Sequence, residues 1–61
     1  MNMVEKIARA MTADHYSMRF KKPIDDDHVI MNVDANWGMF ERQARIAIET
    51  LAIAKALGET K

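Results

Sequence analysis

The sequence predicts a mainly α-helical single domain: an antiparallel helix pair, at about residues 2–15 and 36–57, joined by a segment at about 17–33. That segment is either a short β-hairpin or an irregular loop. Three observations carry this expectation. Apolar residues recur at i, i+3, i+4 and i+7 near both ends of the chain. Each periodic stretch opens on a residue able to cap a helix. The 61-residue length leaves room for one core only.

The first helix is expected to start at Asn2, a good N-cap, with Glu5 three residues later in capping-box spacing. Met3, Val4, Ile7, Met11 and Met18 fall towards one face, flanked by Ala8 and Ala10, with Glu5, Arg9 and Thr12 opposite. Asp14 falls near the apolar face, so the helix is expected to end between Ala13 and Tyr16.

The middle segment carries a period-two signal. Tyr16, Met18 and Phe20 alternate with Ser17, Arg19 and Lys21, and His28–Val33 is short and rich in β-prone residues. Pro23 and Asp25-Asp26-Asp27 between them read as a turn. An isolated hairpin is weak and would have to lean on the helices. The alternative is a loop whose apolar side chains plug the helix pair.

The last helix is the clearest element. Asp34 or Asn36 can cap it, and Trp37, Phe40, Ala44, Ala47, Ile48 and Leu51 share one face. Glu41, Arg45 and Glu49 form an i, i+4 ladder, each pair contributing about 0.2–0.5 kcal/mol. Gly58 is placed to stop the helix after Leu57, and Glu59, Thr60 and Lys61 are expected to fray. A second apolar stripe, Met39, Ile46, Ile53 and Leu57, lies about half a turn from the first. Two helices alone cannot easily cover both. This stripe is the candidate interaction surface, unless the middle segment folds across it.

Composition narrows the function. Hydrophobic residues make up 49% and charged residues 30%, a globular balance. Cysteine is absent, so disulfides and thiolate metal sites are excluded and a small core needs other support. Tight helix packing or self-association is the expected form of that support. Net charge is zero, which argues against a nucleic-acid binder. No apolar run is long enough for a membrane span, and the N-terminus lacks the pattern of a signal peptide. Cytoplasmic residence is therefore the expectation.

Charge is uneven along the chain. Residues 1–22 carry a net +3, residues 23–36 a net −4 and residues 37–61 a net +1. Asp25, Asp26, Asp27 and His28 are the most site-like cluster. An EF-hand starting at Asp25 would need glycine at its sixth position and glutamate at its twelfth, where Ile30 and Asn36 stand. A histidine–carboxylate site would need further ligands such as His15 and Asp34. The cluster reads as a polar turn, with no metal or cofactor expected. His15 could act as a base, but Ser17 is its nearest candidate nucleophile and nothing supplies an oxyanion hole. No enzyme is expected. Arg19, Lys21 and Lys22, interleaved with Tyr16 and Phe20, form a candidate single-strand nucleic-acid patch. Trp37 could anchor a partner, though core packing with Phe40 and Ala44 suits it better.

Ile7-Ala8-Arg9-Ala10-Met11, followed by Trp37, Phe40 and Gln43-Ala44-Arg45-Ile46-Ala47-Ile48 up to Leu51, resembles a loose group of short phage and prophage proteins, mostly from proteobacterial hosts. Their ends read as an "IARAL"-like helix and a "W…F/Y…AR.AI..L"-like helix. The resemblance covers about half the chain and brings no functional residue with it. It implies a small phage-type accessory protein in the host cytoplasm. Such a protein would act through a host protein partner or as a homodimer, for example as an inhibitor of a host factor or of CRISPR defence. The alternative is a small nucleic-acid-associated regulator using Arg19, Lys21 and Lys22.

Overall fold

The computed structural model describes residues 2–58, and the fraying expected of Glu59–Lys61 lies outside them. The fold is mainly α. Three helices, α1 (Met3–Phe20), α2 (Asp27–Asn36) and α3 (Glu41–Ala56), are linked by a short turn and by a 3-10 turn at Trp37–Phe40. Among the described residues there is no strand.

α1 starts as its sequence dictates. The Asn2 side chain accepts a hydrogen bond from the Glu5 backbone N–H at 2.8 Å, satisfying one orphan donor of the first turn. The helix then outlasts the expected end at residues 13–16 and runs to Phe20. Asp14 does not interrupt it because the buried face is centred elsewhere, on Ala8 and Thr12, and Asp14 is exposed. Lys21 ends the helix in the left-handed region, with φ 56°. The Ser17 carbonyl accepts from the backbone N–H groups of both Lys21 and Lys22. Pro23 follows, where it cannot extend a helix.

The hairpin reading of residues 17–33 is corrected by this structure. Ser17–Phe20 is the last turn of α1, and His28–Val33 lies within α2. The residues that suggested alternation also fit a helical period. Tyr16 and Phe20 are four apart, with ring centroids 5.4 Å from each other. Val29 and Val33 are likewise four apart, and both are buried. The deciding local signal is Asp26, whose carboxylate accepts from the His28 backbone N–H at 3.0 Å and so starts α2. Two helices therefore become three.

α2 runs back along α1. At one end the His28 ring stacks on Phe20, with centroids 4.7 Å apart and planes 9° from parallel. At the other end Asp34 accepts a hydrogen bond from Arg9. Neither Asp34 nor Asn36 caps α3 through its side chain. Asp34 is engaged with Arg9, and the Asn36 amide donates to the Asn32 carbonyl. The last helical stretch instead opens as a 3-10 turn, and the regular α-helix begins at Glu41. Gly58 closes it as expected, with φ +72° and its N–H bonded to the Lys55 carbonyl.

The core is small. Ala8, Val29, Val33 and Ala44 are its buried apolar residues, joined by Thr12. Thr12, expected on the polar face, is fully buried and donates from its hydroxyl to the Ala8 carbonyl at 2.6 Å. α1 packs against α2, the 3-10 turn and α3 together. It therefore buries a wide face centred on small residues, while Met3 and Met18 on the expected apolar stripe are exposed.

Candidate interaction surface

Exposure climbs along α3. Ala44 is fully buried, Ile48 is half-buried and Leu51 is 56% exposed. Leu51, with Ala47, belongs by periodicity to the inward face, but α1 and α2 do not reach far enough to cover it. The molecule is 41 Å long, against about 27 Å for the 18 residues of α1. The second half of α3 accordingly stands clear of the body.

The outward stripe is exposed throughout. Met39 is 51% exposed, Ile46 51%, Ile53 61% and Leu57 68%. α2 does not fold across it; it lies against α1 and the 3-10 turn. Ile46 and Ile53 lie on α3 and Leu57 is its C-terminal cap, whereas Met39 lies in the preceding 3-10 turn. The stripe's charged flank is held in place, with Arg45 donating to the Glu41 carboxylate at 2.9 Å. Glu49, the third member of the expected ladder, makes no ion pair among the described residues.

Trp37, expected in the core, is half-buried in the 3-10 turn and lies outside the buried set. The Arg9 guanidinium carbon lies 5.7 Å from its ring centroid, a cation–π arrangement. Arg9 also donates to Glu5 at 2.9 Å and to Asp34. The hydrogen bond to Asp34, then that to Glu5, pushes the Arg9 pKa above its already high ordinary value. One side chain thus ties α1 to α2 and to the 3-10 turn.

The basic patch is exposed at Arg19, Lys21 and Lys22, at the C-terminal end of α1. Its aromatic partners are not free for base stacking. Phe20 lies beside Tyr16 and is covered by His28. The acidic run follows within the same turn, and its Asp26 is engaged in capping α2. Among the described residues, no three histidine or carboxylate side chains stand close enough to hold a metal ion.

His15 packs edge-on to Tyr16, at 5.0 Å between centroids, and lies 5.7 Å from Phe40. Ser17 points its hydroxyl at the Lys22 carbonyl instead of at His15. His15 and Phe40 border a shallow open groove with Met11, Asp14, Met18 and Arg19. This groove was not legible as a unit in the sequence, because Phe40 reaches it only through the 3-10 turn. No described helix is long and apolar enough to cross a membrane.

No family model matches this chain, and no curated protein or solved structure matches it significantly.

Proposed function

We propose that the chain is a small accessory protein of phage or prophage type that acts without catalysis, by presenting the outward face of α3 to a protein surface. The observation that carries this reading is the contrast between core and stripe. The buried apolar set is two alanines and two valines, while Met39, Ile46, Ile53 and Leu57 remain half-exposed or more. A domain that leaves its larger aliphatic side chains outside has the composition of a binding module.

The phage setting rests on the resemblance of the two terminal helices, and inhibition of a host factor or of CRISPR defence is the role in that setting that suits so short a chain. Host cytoplasm is the matching location. The nucleic-acid alternative, through Arg19, Lys21 and Lys22, has weaker support because Phe20 is already stacked on His28.

A paired capture experiment tests the reading. Wild-type protein and an Ile46→Glu/Ile53→Glu variant are used as bait in lysate from the host, with helicity checked by circular dichroism. The reading expects a stoichiometric protein partner, a further copy of the chain included, held by the wild type and released by the variant. Partners held equally by both proteins would contradict it.

A further inference from the structure

We infer that the outward face of α3 is covered by a second copy of this chain, packed as an antiparallel α3–α3 pair. The inference deepens the reading of that face as a protein-binding surface and rests on it.

The first support is area. The chain exposes 4781 Å², whereas a folded monomer of its 7.0 kDa mass exposes about 4,000 Å². The surplus is close to the roughly 800 Å² that each partner buries in a standard interface. The radius of gyration, 13.5 Å, likewise exceeds the value of about 10–11 Å for a compact chain of this length.

The second support is spacing. Ile46, Thr50, Ile53 and Leu57 are separated by four, three and four residues, the alternation of a coiled-coil seam, and they run along α3 to its C-terminal cap. One flank of the seam carries Ala47 and Ala54, small enough for close helix approach. The other carries Arg42, Glu49 and Ala56.

The third support is orientation. α1, which carries α2 on its other side, covers the beginning of α3, so a parallel pair would crowd two bodies at one end. An antiparallel pair places them at opposite ends and opposes the helix dipoles. With Ile46 of one copy against Leu57 of the other, Thr50 meets Ile53, Ala47 meets Ala54 and Glu49 meets Ala56. No like charges face each other in that register.

The test uses the full chain. Sedimentation equilibrium of wild type and of Ile53→Glu, both checked for helicity, is combined with nitroxide distances on an Arg42→Cys variant. The inference expects a wild-type dimer, association weakened about 100-fold or more by Ile53→Glu, and labels about 30 Å apart. A wild type that stays monomeric at high micromolar concentration overturns the inference. So does a label distance about half that value, which marks a parallel pair. The surface reading itself fails separately, if the capture experiment finds partners indifferent to Ile46→Glu/Ile53→Glu.

Discussion

Arg9 on α1 and Asp34 on α2, 25 positions apart in sequence, are joined by a hydrogen-bonded ion pair that fixes α2 along α1. The same guanidinium holds Glu5 and lies over Trp37, so it orients the turn from which α3 departs. The direction in which α3 presents its outward stripe therefore depends on Arg9.

Replacing Arg9 by methionine should lower the melting temperature, and a double-mutant cycle with Asp34→Ala should show favourable coupling that weakens with added salt. The pKa of Arg9 is raised on folding, so its contribution is fully present below the unfolded value and fades only as pH rises through the still higher folded one. Thermal melts across the neutral range should therefore show no loss attributable to Arg9 titration.

Lys21 sits at φ 56°, a conformation costly for a residue with a β-carbon. Lys21→Gly should stabilise the fold by about 0.5–1 kcal/mol, read from urea melts, without altering helix content. An equal or lower stability would contradict the assigned cap.

Thr12 is fully buried in a tight seam, with its hydroxyl satisfied by the Ala8 carbonyl. Thr12→Val keeps the shape but loses the hydroxyl's hydrogen bond to Ala8, and should cost about 0.5–1.5 kcal/mol. Thr12→Leu and Ala44→Leu overfill the seam and should each cost about 1–3 kcal/mol in the same melts.

Phe20 is committed to His28, so the basic end of α1 offers charge without a stacking platform. Gel shifts with single-stranded DNA and RNA at low salt should show no discrete complex. A salt-sensitive complex lost on substitution of Arg19, Lys21 and Lys22 would favour the nucleic-acid alternative.

Both ends of the fold were legible in the sequence because local chemistry alone decides them. Asn2 with Glu5 starts a helix, and Gly58 stops one. The middle was not legible because Tyr16, Phe20, Val29 and Val33 satisfy two periods at once, and only the Asp26 cap separates them. The burial of Thr12 was hidden as well, since it depends on α1 having neighbours on several sides. The outward stripe of α3 could be read from residue spacing. The exposure of Leu51 could not, because it depends on how far α1 and α2 extend in space.

The most direct measurement is methyl NMR of the full chain during dilution and during addition of any captured partner. The account predicts that the methyl signals of Ile46, Ile53 and Leu57 shift together while those of Val29 and Val33 stay fixed. Stationary signals from the α3 stripe, with changes confined to Met18 or to Ile24 and Ile30, would contradict it.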